Sequence, residues 1–164
     1  MASRIAFAGP MASGKSTAAQ KLHEQCGHNR LSISGPVYKI AREQFNMTEK
    51  DRVLLQTIGM TGRALDPDVW INKMLENITD NETCYVVDDV RFPNECEKLR
   101  GYGFKIIWLK VSQEERERRI RALYGMNAEQ HISQMSSTPE TSLTIDHADD
   151  VWNSQMLSHH LEDF

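Results

Sequence analysis

The chain has 164 residues, 19 Lys and Arg against 23 Asp and Glu, a net charge of -4, and 40% apolar residues. These figures fit a single soluble domain able to bury about 70% of its unfolded surface, and they argue against nucleic acid as the main partner. With no run of 18 apolar residues, neither a membrane span nor a signal peptide is expected. Cys26, Cys84 and Cys96 form no CxxC pair and have no His at zinc-finger spacing; they read as reduced thiols of a cytosolic protein, not as a zinc site.

Taken in order, Arg4 to Ala8 is a short apolar run of the kind that forms a buried parallel strand. Gly9 to Thr17, GPMASGKST, then fits the phosphate-loop template G-x-x-x-x-G-K-[ST] with Gly9, Gly14, Lys15 and Ser16 at its fixed positions. Ala18, Ala19 and Leu22 follow at helical spacing, and Gly27 stands where that helix would stop. In a strand–loop–helix of this order, backbone N–H groups and the positive helix end hold phosphate oxygens. The expected contacts of a bound ATP are Gly9, Ala12, Ser13, Gly14, Lys15, Ser16 and Thr17. Lys15 would reach the β- and γ-phosphates, and the Ser16 hydroxyl would bind Mg²⁺.

Further along, Leu31 to Ser34 reads as a second strand, and Val37 to Phe45 as a helix with Pro36 near its first turn. Thr48-x-x-Asp51 resembles a capping box for a helix running to Gly59, and Asp66-Pro67-Asp68 opens another through Ile78. Cys84 to Val87 and Phe104 to Val111 are predicted strands. Ser112-x-x-Glu115 caps a charged helix to about Leu123. The polar, Met-rich stretch from Tyr124 to Thr141 is predicted to be a loop or lid. Leu143 to Ile145 is predicted to be a last strand, and Val151 to Leu161 a final helix. Strands alternating with helices predict an α/β, three-layer P-loop NTPase fold: a parallel sheet flanked by helices, with ligands at the carboxyl ends of its strands.

Tyr85-Val86-Val87-Asp88-Asp89 places acidic residues at the end of an apolar strand, where a carboxylate helps hold the Mg²⁺ of a bound nucleotide. Adjacent Asp residues point differently from a strand, so one of the two faces the metal.

From here the chain resembles a known family. DDVRFPNE, Asp88 to Glu95, is similar to the D-x-R-F-P-N-E signature of the deoxynucleoside monophosphate kinases of phages and large DNA viruses. LLQTIGMTGR, Leu54 to Arg63, with DPDVW, Asp66 to Trp70, resembles the same family's substrate segment. Pro139-Glu140-Thr141 through Asp149-Asp150-Val151-Trp152-Asn153 resembles its ending. Thr138-Pro139-Glu140 departs from the usual His-x-Ser-Glu, and Ser154 stands where a Gly is frequent. Animal-type phosphomevalonate kinases share the glycine loop and the D-x-R turn.

The resemblance implies a nucleoside-monophosphate-kinase-like domain over residues 1–164, with acceptor-binding helices over about 34–80 and a short lid over about 112–141. Asp89 would act on the metal or position the attacking phosphate, with Asp88 ranked second, and Arg91 would hold the acceptor phosphate. Arg63 would be a phosphate fork and Gln56 a base contact. Trp70 would wall or stack on the base, unless it serves the core as an apolar-face Trp more often does. Lys39 is a candidate substrate contact or a solvated helix residue.

Arg116, Arg118, Arg119 and Arg121 crowd one predicted helix, where Glu114–Arg118, Glu115–Arg119 and Glu117–Arg121 are i,i+4 pairs worth about 0.3–0.5 kcal/mol each at a surface. A kinase lid also needs arginines for the transferring phosphate. Arg116 and Arg119 match the R-x-x-R of the similar kinases, which leaves Arg118 and Arg121 as solvated residues.

The expected activity is transfer of the γ-phosphoryl group of ATP to a deoxynucleoside monophosphate, with Mg²⁺. The partners would be small-molecule nucleotides, with neither nucleic acid nor membrane and with a homodimer allowed for. The location would be cytoplasmic, in the host if the chain is viral. A kinase for another phosphorylated small molecule, phosphomevalonate the nearest, is the alternative. A hydrolysing nucleotide switch is disfavoured: Asn72-Lys73 lacks the following Asp of guanine recognition, and no D-x-x-G turn follows the glycine loop.

Overall fold

In the computed structural model, residues 2–137 and 142–162 are described. Five strands, β1 (Arg4–Ala8), β2 (Asn29–Leu31), β3 (Tyr85–Val87), β4 (Lys105–Leu109) and β5 (Asp150–Trp152), form one sheet of order β2-β3-β1-β4-β5, every pair parallel. Among the described residues, eight α-helices connect or follow them: α1 (Lys15–Cys26), α2 (Gly35–Phe45), α3 (Arg52–Leu65), α4 (Val69–Leu75), α5 (Pro93–Gly101), α6 (Gln113–Tyr124), α7 (Ala128–Ser137) and α8 (Ser154–Leu161). This is the expected α/β architecture.

The central strands read as continuous apolar runs because both faces of the sheet are covered. Alternation sends Ile5 and Phe7 of β1 to one side, with Ala18, Ala19, Leu22 and Trp152, and sends Ala6 and Ala8 to the other. On that second side Ile33, Val37, Leu55, Trp70, Ile71 and Met74 pack α2, α3 and α4 into the largest part of the core. Phe7 is fully buried, and burying such a side chain favours folding by about 1.5–3 kcal/mol. Because β1 lies at the centre of the sheet, its carboxyl end opens at the middle of the molecule, where order reverses toward β3 on one side and β4 on the other.

Several predicted elements shift, each for a local reason. The second strand is Asn29–Leu31, not 31–34, because Ser32 to Ser34 turn away to donate to the Asp89 carboxylate. α3 is capped by Asp51, whose Oδ1 accepts from Leu54 N at 3.0 Å, and not by Thr48. It runs past Gly59 to Leu65, since the small residues at 59 and 62 are where Trp70 packs rather than where the helix stops. A Cβ at Gly62 would lie 2.4 Å from Trp70 Cζ2, so only glycine lets that indole so close. α4 ends at Leu75, short of Ile78.

The stretch predicted as a loop after Tyr124 contains a 3-10 turn, Gly125–Asn127, and then α7. Ala128 is buried, and His131 stacks on Tyr124 of α6 with ring centroids 3.7 Å apart. The predicted strand at 143–145 is replaced by a 3-10 turn at Ile145–His147. The fifth strand forms later, at 150–152, where Asp149 exchanges hydrogen bonds with Ile106 through N and Oδ2, both at 2.8 Å. α8 starts at Ser154, after Asn153 caps it through Oδ1 to Met156 N. Thr138, Pro139, Glu140 and Thr141 lie outside the described residues.

Candidate active site

The loop after β1 turns sharply before α1. Gly9 has φ 145°, and a Cβ there would sit 3.0 Å from the Leu109 carbonyl oxygen and 2.9 Å from Ser13 Oγ. No residue with a side chain fits that turn without displacing β4. Ala12 also takes a left-handed φ, 62°, an outlier of the kind that marks functional loops. Ser13 is buried, whereas Ser16 and Thr17 at the start of α1 are exposed. Lys15 Nζ donates to the Gly9 and Pro10 carbonyls at 2.7 and 3.0 Å, so its ammonium lies across its own loop.

Beside that loop is a cleft of about 380 Å³. Gly9, Pro10, Met11, Ala12, Lys15 and Ser16 form one wall, Asp88 to Arg91 from the end of β3 another, and Arg116 of α6 with Gln134 and Met135 of α7 the third. Three elements distant in sequence thus converge on one volume.

The two aspartates at the end of β3 diverge as expected. Asp88 pairs with Arg30, Oδ2 to Nη2 at 2.8 Å, and Arg30 also donates to Gln20. Asp89 accepts four hydrogen bonds from the segment before α2: Ile33 N at 3.0 Å on Oδ1, with Ser34 N, Ser34 Oγ and Ser32 Oγ at 2.8–3.0 Å on Oδ2. Asp89 therefore ties β3 to the entrance of the α2–α4 layer.

Arg91 is exposed and lines the cleft. Behind it, the Arg63 guanidinium of α3 lies over the Phe92 ring, 4.8 Å from its centroid. Burial pulls the Arg63 pKa down from its ordinary value, the nearby Glu95 carboxylate opposes that shift, Arg91 adds to it and Asp89 opposes it. Arg63 and Arg91 are thus brought to the same neighbourhood although 28 positions separate them in the sequence.

Along α6 the four arginines part company. Arg116 faces the cleft, and its Nε is buried without a hydrogen-bond partner among the described residues. Arg119 turns to the phosphate loop, donating from Nη1 to Ala12 O at 3.0 Å while its Nε donates to Glu115. Arg118 and Arg121 stay on the exposed face. Arg118 pairs with Glu115 at i,i+3 and not with Glu114 as expected, because Glu115 lies one turn before both Arg118 and Arg119 and receives them together. Hydrogen bonds from Arg118 and then Arg119 pull the Glu115 carboxyl down to about 2.

Other predicted residues lie elsewhere. Lys39 on α2 and Gln56 on α3 are exposed and are not among the cleft-lining residues. Trp70 is buried and donates its Nε1 hydrogen to the Gly59 carbonyl at 3.0 Å; it belongs to the core between α3 and α4. Sequence reasoning missed Arg30, Gln134 and Met135. The Ala128, Ile132 and Met135 spacing could have revealed the helix that carries the last two. Nothing local signals Arg30.

The glycine loop at the carboxyl end of a central parallel strand, with cationic side chains lining the cleft beside it, gives the chain the architecture of a P-loop NTPase. Residues 5–137 match the AAA domain family, and the chain belongs to that family. Over 137 residues it is 31% identical to the uncharacterized protein ORF77 of Ictalurid herpesvirus 1 (strain Auburn), covering 79% of this chain and 57% of that one. The chain therefore spans less than two thirds of this viral relative.

Among solved structures, TT1252 from Thermus thermophilus superposes with a TM-score of 0.68 at 17% identity, covering 99% of this chain and 95% of that one. A shikimate kinase from Acinetobacter baumannii in complex with shikimate gives 0.56 at 15% identity, with 99% and 92% covered. A gluconokinase from Sinorhizobium meliloti 1021 gives 0.54 at 17%, with 98% and 88% covered. The fold is that of P-loop kinases. No described helix is long and apolar enough to cross a membrane.

Proposed function

We propose that the protein is an ATP-dependent kinase that phosphorylates a deoxynucleoside monophosphate. The observation that carries this reading is the cleft itself, in which Lys15 and Ser16 of the phosphate loop face Arg91 and Arg116 across one volume. A donor polyphosphate and an acceptor phosphate need cations of this kind between them, because phosphoryl transfer depends on positioning and charge neutralisation.

ATP would lie on the backbone N–H groups of Gly9 and of Ala12 to Thr17, with Lys15 moving from its carbonyl partners to the β- and γ-phosphates. An oxygen of the acceptor phosphate forms the new bond to Pγ, the bond from Pγ to the β–γ bridging oxygen breaks, and ADP leaves. The acceptor oxygen is already ionised at neutral pH, so no general base is required. Arg91 and Arg63 hold the acceptor, while Arg116 and Arg119 meet the charge on the transferring group.

The residues present fit a Mg²⁺ ion. An exposed hydroxyl and carboxylate oxygens line the same cleft, and Mg²⁺ retains most of its water when it also has phosphate ligands. Ser16 and Asp89 would hold it, and when bound it neutralises the β- and γ-phosphate oxygens. Asp89 would do so while anchoring residues 32 to 34, and Asp88 ranks behind it because of its ion pair with Arg30.

A kinase for another phosphorylated small molecule, phosphomevalonate the nearest, is favoured by one observation. Gln56, the candidate base reader, is exposed and off the cleft wall. Acceptor dependence tests the proposal: ADP formation from ATP and Mg²⁺ should rise at least a hundredfold on adding a dNMP. An equal rate without acceptor would point to a nucleotide-hydrolysing protein instead.

A further inference from the structure

We propose that Glu95 is the positioning residue of the acceptor site: through one carboxylate oxygen it fixes the backbone that aims Arg91 into the cleft and seats Arg63 on Phe92. The inference rests on the kinase reading above, and it assigns a role to a residue that touches neither substrate.

Glu95 is 2% exposed, one of three polar or charged side chains buried among the described residues. It occupies the third position of α5, and its Oε1 accepts from Arg91 N and from Phe92 N, each at 2.9 Å. A glutamate there ordinarily caps one backbone N–H, that of the residue preceding the helix. Here the second bond reaches one residue further back, to the residue whose side chain enters the cleft. On its other side, the Arg91 carbonyl accepts from Ser142 N at 3.2 Å. The peptide groups flanking Arg91 are therefore held from both directions.

The same clamp governs Arg63. Its guanidinium lies 4.8 Å from the centroid of the Phe92 ring, so the ring sits where the Phe92 backbone puts it. No ion pair within 4.0 Å joins Glu95 to Arg63; their interaction is through space. What Glu95 supplies directly is hydrogen bonding to two backbone donors. Its negative charge adds no attraction for an anionic acceptor. Burial pushes its carboxyl upward, and the two backbone bonds pull it back.

Geometry and charge are separable by substitution. Glu95→Gln keeps an oxygen that can accept both N–H groups and removes the charge. Glu95→Asp keeps the charge but is one methylene too short to reach both. Steady-state kinetics with ATP and a dNMP should give Glu95→Gln an acceptor KM within threefold of wild type. Glu95→Asp should raise the acceptor KM at least tenfold while the ATP KM stays within twofold. Phe92→Leu, which leaves the clamp and removes the seat of Arg63, should raise acceptor KM severalfold even if Glu95→Asp does not fold.

Wild-type acceptor KM in Glu95→Asp, impairment confined to Glu95→Gln, or equal rises in both KM values would overturn the clamp. A readout without turnover is the affinity of inorganic phosphate for protein holding ADP and Mg²⁺, which Glu95→Asp should weaken tenfold and Glu95→Gln should preserve. Phosphate binding with no preference for dNMP acceptors would overturn the proposed substrate and leave the clamp standing. No phosphate binding to wild type would overturn both.

Discussion

Around the phosphate loop, several polar groups find partners within a few residues: Lys15 lies on the carbonyls of Gly9 and Pro10, and Ser13 N donates to Pro10 O, with Arg119 of α6 reaching in from outside to Ala12 O. In the α2–α4 layer the groups proposed to meet the acceptor depend on distant parts of the chain. Arg63 lies on Phe92, residues 32 to 34 hang on Asp89, and Trp70 locks α4 against Gly59 and Gly62. The donor side is mainly a local structure, joined by Arg119 of α6, and the acceptor side a tertiary one. Substitutions should therefore act differently: damage at the loop stays with donor chemistry, while damage at the acceptor side spreads through packing.

The largest effect is expected from Lys15→Ala, which removes the ammonium that would neutralise the γ-phosphate. It should lower kcat about a hundredfold or more and leave the fold intact, because the bonds it makes to the Gly9 and Pro10 carbonyls lie in a loop outside the core. Rapid-quench or coupled assays beside a thermal melt check both halves. Near-normal turnover would take the loop out of the mechanism.

Asp89→Asn comes next. It should cut Mg²⁺-dependent activity more than tenfold and also lower stability by about 2 kcal/mol, since an amide turned toward Ser34 cannot replace a carboxylate accepting four bonds. Asp88→Asn should do much less of either, its Arg30 pair being worth at most about 1 kcal/mol. A magnesium titration and a denaturant melt of both variants separate the two residues; greater damage at Asp88 would reverse their roles.

Arg63→Ala should raise the acceptor KM at least tenfold and barely alter that for ATP, consistent with loss of about 1.5 kcal/mol of acceptor binding. Gln56→Ala should change the preference among bases by a smaller factor. If both variants change the ATP KM equally, the division between donor and acceptor sides fails. Along α6, Ala at Arg116 or Arg119 should lower kcat roughly tenfold with little change in Tm, while Ala at Arg118 or Arg121 should do neither. Equal effects at all four would make the helix a solvated face.

The smallest effect is a pH dependence. Burial raises the Glu95 carboxyl above its ordinary 4.5, so the folded state favours the protonated form. Its stabilising contribution is complete below 4.5 and is lost as pH rises through the raised folded value. The Tm of Glu95→Gln relative to wild type should therefore increase across that window. A difference that stays flat with pH would mean that the buried charge is fully compensated.

The contrast between the two sides also explains what could be read from the chain alone. GPMASGKST is legible because loop, glycines and lysine interact at fixed short spacing, and β1 and α1 announce themselves on either side. The D-x-R turn and the choice of Arg116 and Arg119 rest instead on the resemblance to the monophosphate kinases, since the spacing alone gives only a strand-ending turn and a charged helix face. Trp70 was ambiguous because an indole on an apolar helix face gives the same pattern whether it meets a base or Gly62. Residues 128–137 hid their helix behind polar composition, their packing being against α6 and not the main core. The β2 boundary was misplaced since the partner that bends 32 to 34 away, Asp89, lies more than fifty residues on.

The most direct test of the central claim is a phosphorylation assay of the purified chain with ATP, Mg²⁺ and each acceptor separately: the four common dNMPs, the matching NMPs and phosphomevalonate. Product analysis should find a dNDP and ADP in equal amounts with at least one dNMP, and no product from phosphomevalonate. Phosphorylation of phosphomevalonate with none of any dNMP would contradict the assignment.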